Sequence, residues 1–454
     1  MKKDLRYSIG TFDELTLYHS FSSLVLILVP SLCMSLALIT NGNASDGEDK
    51  SKPYLLDSDL KVELVYSGLE FPTTMAFLGP DDMLVLEKRK GTVERITNGN
   101  KWPEPLLDVN VSHKDERGML GVAVAQNQTN NSNPYVFLYY TKSGTGVDDE
   151  IQNSTYKVSN HLYRYELVNN SKLQNPKLLL SLLSTERSFH VGGDLLVGPD
   201  HNLFLTTGDQ TRYKQTQAQN IKNGSNPDGT SAILRMTFDG QTASGNTLGE
   251  KYPLSLYYAY GIRNSFGIDF DPITGKLWDT ETGPDYGDEI NLVEAGFNSG
   301  WSKVQGIWEP MANLSIGTRD LNPDNLIDFD GRGKYSPPEF TWKNPACVIA
   351  IKFLDSDKYG EGYKDDMFVG TSGGNLYHFN MNQNRAGFIL DNNLKDKIAE
   401  NDSHKELAQL RFGGNFGAIS DMQIGYDELL YVVSVDGSIY KIVPKDIEHT
   451  KEKN

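Results

Sequence analysis

The chain has 454 residues, including 42 Gly, 23 Tyr and 19 Phe, and 38% of its residues are hydrophobic. Such a chain can bury a large core, and its length suits one large all-β domain or two ordinary domains. Its formal net charge of −17 supplies no basic surface for nucleic acid or anionic lipid, which argues against nucleic acid as a partner.

The N-terminal segment has the features of an export signal. Basic residues near the start precede an apolar run at 21–40, which is just long enough to span a bilayer. Small residues at Gly42 and Ala44 predict cleavage after Ala44. We therefore expect a signal peptide or membrane anchor at 1–44, a secreted or cell-surface product, and membrane contact only through this segment. Nine N-x-S/T sequons are compatible with a glycoprotein.

Six segments then repeat one pattern, in which an alternating apolar run is followed by a turn and a second apolar run. Alternation buries one face of each strand, and Gly, Pro and Asp favour the turn, so each segment predicts an antiparallel hairpin. Such units bury their apolar faces only by stacking on one another, which predicts an all-β, six-bladed β-propeller at 61–445 between a polar linker at 45–60 and a polar tail at 446–454. The segments are Ala76–Glu87, Gly121–Tyr139, Asp194–Thr207, Gly267–Thr280, Ile349–Val369 and Ile419–Val433.

His190 is the first candidate for chemistry. It precedes a Gly-Gly pair at the entrance to the third hairpin, and such glycines let a ligand approach the backbone closely. An imidazole there is a candidate general base, although a lone His is more often a hydrogen-bonded structural residue.

Arg263 and Asn264 precede the fourth hairpin. A fixed cation beside amide donors can stabilise an oxygen that gains negative charge during hydride or acyl transfer. The alternative is an ordinary salt bridge to a neighbouring blade.

The segment Thr282–Asn291 (TGPDYGDEIN) combines a Gly-Pro pair with acidic residues. Backbone carbonyls and the carboxylates of Asp285, Asp288 and Glu289 are the hard oxygen ligands that calcium prefers. The spacing lacks the order of an EF-hand, so an ordinary acidic turn remains an alternative.

These motifs together are similar to those of the soluble quinoprotein glucose dehydrogenase family, also called glucose/sorbosone dehydrogenases. The resemblance runs from about Leu64 to Val443 and is strongest over His190–Trp301, with the phrases HVGGDL, GIRNSFGIDFDPITGKLW and ETGPDYGDEINLVEAGFNSGW. An earlier phrase, GMLGVAVAQN, resembles the family's GLLG segment. Members of this family are six-bladed propellers that use pyrroloquinoline quinone (PQQ) and calcium to oxidise sugars.

The resemblance implies roles for particular residues. His190 would take the proton from the sugar's anomeric hydroxyl, and Arg263, Asn264 and Thr282 would contact the cofactor. Glu116 would lie next to the substrate. The calcium would bind the carbonyls of Gly283 and Pro284, with Asp288 and Glu289 as further candidate ligands, and an external electron acceptor would complete the reaction.

The sequence also departs from the family. The positions that correspond to its basic clamp for the cofactor's carboxylates are Ser372, Ala418 and Ser420. Burying carboxylates without cationic partners is costly. The replacements suggested by proximity in sequence are Lys303, Lys343, Arg385 and Arg411.

Three functions are therefore compatible with the sequence. The first is a PQQ- and calcium-dependent dehydrogenase acting on an aldose or related sugar or alcohol. The second is a PQQ-free, calcium-dependent hydrolase of the lactonase type, and the third is a non-catalytic surface propeller that binds carbohydrate or protein. The set His190, Arg263 and Asn264 disfavours the third, while the missing clamp disfavours the first.

Overall fold

The computed structural model describes residues 52–127, 133–151, 158–184, 188–210, 216–284, 286–307, 325–400 and 406–445. The predicted export segment and the tail at 446–454 lie outside them. Within these ranges the regular structure is β-strand, apart from short 3₁₀-helices at Gln217–Gln219, Leu254–Leu256, Asn392–Leu394 and Leu407–Gln409. None of the helices in this part of the chain has the length and apolar character needed to cross a membrane.

The first two sheets come from the N-terminal part of the described chain. The first sheet has β3 (Pro72–Gly79), β4 (Asp82–Glu87), β5 (Thr92–Thr97) and β6 (Asn100–Lys101) in that order, with β7 (Leu107–Asp108) paired to β5. The second sheet contains β8 (Met119–Ala125), β9 (Tyr135–Lys142), β10 (Ser159–Val168) and β11 (Lys172–Leu183).

The third and fourth sheets share the middle of the chain. The third contains β12 (Leu195–Val197), β13 (Leu203–Thr207), β14 (Ala232–Met236), β15 (Tyr257–Tyr260), β19 (Phe297–Asn298) and β20 (Lys334–Tyr335). The fourth contains β16 (Ser265–Phe270), β17 (Leu277–Glu281), β18 (Asp288–Val293), β21 (Phe340–Trp342) and β25 (Ile398–Ala399).

The last two sheets include the first strands of the described chain. The fifth sheet contains β22 (Val348–Phe353), β23 (Met367–Thr371), β24 (Leu376–Phe379), β26 (Arg411–Gly414) and β1 (Tyr54–Leu55). The sixth contains β27 (Ile419–Ile424), β28 (Leu430–Ser434), β29 (Ser438–Pro444) and β2 (Leu60–Tyr66).

The six sheets form a closed ring. Their first strands, β3, β8, β12, β16, β22 and β27, each contact the next, and β27 contacts β3. Every predicted hairpin is confirmed as the first two antiparallel strands of one sheet. Buried apolar residues fill the spaces between neighbouring sheets, as Phe137 and Leu205 do between the second and third. The protein is therefore an all-β propeller, as predicted.

The ring closes by pairing the two ends of the described chain. In the sixth sheet β2 pairs antiparallel with β29, for example through Lys61 and Val443. In the fifth sheet Tyr54 pairs with Gly414, which has no side chain to obstruct the tyrosine ring. Tyr54 and Leu55, which fall within the polar linker predicted at 45–60, thus form β1 and belong to the fifth sheet.

The first strands of the six sheets are the inner strands that surround the central channel of the propeller, and they carry an ionic group. Lys352 pairs with Asp269 at 3.1 Å, and Asp421 and Asp194 lie close enough to act on that lysine. Asp194 accepts a hydrogen bond from the backbone N–H of Ile268 at 2.8 Å. The side chain of Asp194 is half-buried. The surrounding protein removes most of the water from its carboxyl group, and this desolvation, together with repulsion from Asp421, raises the pKa of Asp194 to about 7.

Asp194 makes the stability of the fold depend on pH. The folded state binds this proton more tightly than the unfolded chain, whose Asp pKa is about 3.9, so the contribution of Asp194 is full below about pH 4 and is lost as pH rises through about 7. We expect the free energy of unfolding of wild type, minus that of Asp194→Asn, to fall over this range in urea titrations. Asp330→Asn, at an exposed carboxylate, should give a flat difference. A flat difference for Asp194→Asn would contradict the assignment.

Candidate functional site

Three segments that directly precede β8, β12 and β16 meet at one rim of the channel. Glu116 precedes β8, His190 precedes β12, and Arg263 with Asn264 precedes β16. All four residues are buried. The structure thus brings together side chains that are up to 148 positions apart in the chain.

The carboxylate of Glu116 joins the three segments. Its Oε2 atom accepts hydrogen bonds from the backbone N–H of His190 at 2.6 Å and from Nδ2 of Asn264 at 3.0 Å. The N–H of Val191 adds a longer contact at 3.4 Å. Glu116 therefore positions the two neighbouring segments, and its expected contact with a substrate stays a prediction.

His190 is held by Asp209, an acid that follows β13. Its Nδ1 atom lies 2.6 Å from Oδ1 of Asp209, and Oδ2 of Asp209 accepts a hydrogen bond from Nε1 of Trp301 at 2.9 Å. A carboxylate can only accept here, so Nδ1 carries a proton, and the neutral tautomer that this contact selects has its lone pair on Nε2. This arrangement equips Nε2 to take a proton, as a general base does.

Two backbone segments, one at 190–192 and one at 206–208, approach each other so closely that each needs a glycine. His190 has φ of 57°, in the left-handed region, and a Cβ on Gly192 would lie 2.6 Å from the carbonyl oxygen of Thr206. A Cβ on Gly208 would overlap the carbonyl oxygen of His190 itself. The sequence predicts that the Gly-Gly pair makes room for a ligand. In the structure Gly192 of this pair allows the close approach of the two backbone segments.

Arg263 is a buried cation with spare donor capacity. Its Nη1 atom donates to the carbonyl oxygen of Thr282 at 2.7 Å, and the guanidinium carbon lies 5.6 Å from the centre of the Trp301 ring. Among the described residues, Nε of Arg263 is buried without a hydrogen-bond partner. Burial lowers the pKa of Arg263, and nearby acids led by Asp209 and Glu116 oppose that shift.

Asn264 is tied to protein at both ends of its amide. Nδ2 donates to Glu116, as above, while Oδ1 accepts from the N–H of Gly192 at 3.1 Å. The carbonyl oxygen of Asn264 also accepts from the N–H of Thr282 at 2.9 Å and from its hydroxyl at 3.2 Å. Asn264 and Thr282 thus fix the backbone around Arg263, and their cofactor contacts stay predictions.

The predicted metal loop is held in place by Asp288. Its Oδ1 accepts from the N–H of Gly283 at 2.8 Å, and its Oδ2 accepts from the N–H of Cys347 at 2.7 Å. Burial raises the pKa of Asp288 to about 6. Asp285 lies outside the described residues.

Glu289 is also engaged by protein donors. Its carboxylate accepts from Nε2 of Gln305 at 3.0 Å, from the hydroxyl of Ser299 at 3.1 Å and from the N–H of Gly306. Across the described residues, no three His, Cys, Asp or Glu side chains are grouped to hold a metal. The fit to calcium rests instead on the carbonyls of Gly283 and Pro284, which accept no hydrogen bond within the described chain.

The positions of the family's basic clamp line a small, mainly apolar cavity. Its wall is built from residues of five separate segments: Phe71, Ile349, Ser372, Ala418, Ile419, Ser420 and Val435. Of the polar residues there, Ser420 already donates to the carbonyl oxygen of Pro72 at 3.0 Å. The lining contains no basic side chain.

Of the four basic residues that the sequence suggests as replacements for the clamp, three interact with other protein groups. Arg385 binds Asp271 at 2.8 Å, Arg411 donates to Asn375, and Lys343 lies 3.7 Å from Glu400. Lys303 belongs to the loop that carries Trp301. The sequence did contain signals for the two residues that our prediction missed, because Asp209 ends the Thr-Gly-Asp of the third hairpin and Trp301 ends the GFNSGW phrase.

Removing the Glu116 carboxylate should loosen the rim. Glu116→Ala leaves the N–H of His190 and an N–H of Asn264 buried without an acceptor, so we expect unfolding to become easier by about 2–4 kcal/mol, measured in urea. Glu150→Ala, at a side chain that is 63% exposed, should change stability by less than about 0.5 kcal/mol. Equal small effects in both variants would show that the rim does not depend on Glu116.

The comparisons with known proteins agree with this geometry. The family model "Glucose / Sorbosone dehydrogenase" matches residues 69–441. The chain is 30% identical to Quinoprotein glucose dehydrogenase B of Acinetobacter calcoaceticus over 65% of each protein, and 24% identical to Aldose sugar dehydrogenase YliI of Escherichia coli (strain K12) over 92% of this chain and 98% of that one.

A solved structure shares the fold. The PQQ-bound form of Aldose Sugar Dehydrogenase from Streptomyces coelicolor superposes with a TM-score of 0.60 and 21% identity, covering 85% of this chain and 99% of that one. The family model spans most of the described chain, and the resemblance seen in the sequence is confirmed. This chain belongs to the glucose/sorbosone dehydrogenase family.

Proposed function

We propose that this chain is an exported dehydrogenase that oxidises an aldose or a related sugar or alcohol with PQQ and calcium. The observation that carries the proposal is the His190–Asp209 pair beside Arg263, whose buried Nε has a hydrogen to donate and no acceptor among the described residues. A base next to an unpaired cationic donor suits a reaction in which a hydroxyl loses its proton and a nearby oxygen gains charge.

The residues of the rim fit the reactive side of such a cofactor. PQQ, when bound, accepts the hydride that leaves the sugar carbon. Arg263 would meet a quinone oxygen through Nε, and the carbonyls of Gly283 and Pro284 would hold the calcium. The small, mainly apolar cavity at Ser372, Ala418 and Ser420 supplies no cation from its own lining.

The proton would pass to Nε2 of His190. Asp209 fixes the tautomer through Nδ1 and stabilises the imidazolium that forms, while Trp301 holds the second oxygen of Asp209. Because His190, Asp209 and Arg263 are each at least 96% buried, water competes little with these interactions. An external acceptor would then remove the electrons, as the dehydrogenase class requires.

The chain would consist of an export segment followed by one folded domain. The folded domain would begin at β1 and end near residue 445, with each of the six sheets serving as one blade, and residues 1–44 would direct export. The names of the relatives support a sugar substrate, since one is a glucose dehydrogenase and another an aldose sugar dehydrogenase.

His190 provides the decisive test. His190→Gln should lower dye-linked sugar oxidation by about 10²–10⁴-fold, because a general base acts mainly in the transition state, while PQQ binding stays nearly unchanged. His201→Gln, on the exposed turn between β12 and β13, is the matched control and should keep full activity. Turnover is measured with added PQQ and calcium and an artificial electron acceptor.

Two results would contradict the proposal. One is full activity of His190→Gln. The other is a wild type that binds no PQQ at any concentration yet hydrolyses a sugar lactone in a His190-dependent way, which would make the protein a hydrolase.

Calcium can be tested without any substrate. If the carbonyls of Gly283 and Pro284 bind it, a strong chelator should lower Tm and added calcium should restore it, because a ligand bound only by the folded state stabilises that state by about 2.7 kcal/mol at a hundredfold excess over Kd. The measurement is a thermal melt with and without chelator, with magnesium as the control ion. A melt insensitive to both chelator and calcium would exclude calcium from the site.

A further inference from the structure

Two cations in the turn after β4 lie over the ring of Phe71, a residue in the wall of the cavity that Ser372, Ala418 and Ser420 line. The ring of Phe71 is part of the cavity wall. Nζ of Lys88 lies 5.0 Å from the centre of that ring, and the guanidinium carbon of Arg89 lies 4.9 Å from it. The cations are thus one aromatic ring away from the cavity.

Backbone pairing keeps Lys88 at this place. Its N–H donates to the carbonyl oxygen of Phe71 at 3.1 Å, so the turn after β4 is fixed beside the ring. The ammonium is buried and donates to the carbonyl oxygens of Asp115 at 2.5 Å and His113 at 3.4 Å. Lys88 is therefore held by neutral oxygens, and nearby carboxylates, Glu116 among them, act on it only through space.

Arg89 differs from its neighbour Lys90. Lys90 forms ion pairs with Glu87 at 3.0 Å and with Glu70 at 3.1 Å. Arg89 is exposed, and in the described part of the chain its guanidinium has no ion pair or hydrogen bond. On a protein with 60 acidic and 43 basic residues, an arginine left without an acid beside a cavity is available for an anionic ligand.

We propose that Arg89, supported by Lys88, supplies the positive charge for a carboxylate of the bound acidic quinone at the cavity that Phe71 lines. The proposal rests on the proposed function, because it assumes that PQQ is the cofactor. The cavity lining offers hydroxyls from Ser372 and Ser420 and otherwise apolar atoms, which do not compensate a buried negative charge. The first sheet would thus provide the cation that the fifth and sixth sheets lack.

The test compares PQQ affinity in matched variants of the full chain with calcium present, followed by quenching of tryptophan fluorescence. Arg89→Ala should bind PQQ about tenfold more weakly, the loss of one charge-assisted contact, while Lys90→Ala on the same turn should bind as wild type does. Arg89 is exposed, so its removal should leave Tm unchanged and separate binding from folding.

Two further measurements sharpen the result. The trimethyl ester of PQQ has no carboxylate charge, so Arg89→Ala should bind it as well as wild type does. Adding Ser420→Arg to Arg89→Ala should recover affinity for PQQ by returning a cation to the cavity from the sixth sheet.

The outcomes separate the two proposals. If wild type and Arg89→Ala bind PQQ equally, the role of Arg89 is wrong and the proposed function stands. If wild type binds no PQQ, both are wrong.

Discussion

The arrangement of the rim depends on one carboxylate. Glu116, from the second sheet, accepts hydrogen bonds from the backbone of the third sheet at His190 and from the Asn264 side chain that precedes the fourth. A buried carboxylate is costly unless its oxygens are matched by donors, so these donors and the acid hold each other in place. His190, Asn264 and, through the Asn264 backbone, the Thr282 partner of Arg263 are all positioned by this contact.

The same device recurs around the channel. Asp194 accepts from the N–H of Ile268, Asp269 from that of Phe353, and Asp421 from that of Met75. In each case an acid on, or directly before, the first strand of one sheet accepts from the backbone of the first strand of the next sheet. Apolar packing fills the space between sheets but is not directional. These hydrogen bonds are directional, so they determine the position of one sheet relative to its neighbour. These three acids therefore help to set the relative positions of neighbouring sheets.

Local sequence patterns were sufficient for the hairpins but not for their outer partners. Alternation and turn residues depend on neighbours in the chain, and all six predicted hairpins are present. The sequence alone places β1 in the linker and β2 at the start of the domain. Neither is recognised as the outer strand of a sheet, because the partner strands lie hundreds of residues away. For the rim, residue type identified His190 and Arg263, but the Asp209 and Trp301 contacts needed the three-dimensional structure.

The pairing of β2 with β29 also sets an order of events during synthesis. The sixth sheet is completed by one strand at Leu60–Tyr66 and another at Ser438–Pro444, so every intervening residue must be made before the ring can close. Contacts so distant in sequence form slowly, since the chain loses much freedom before they stabilise it. Until β29 has been synthesised, β2 has no partner strand in the sixth sheet, and the ring stays open.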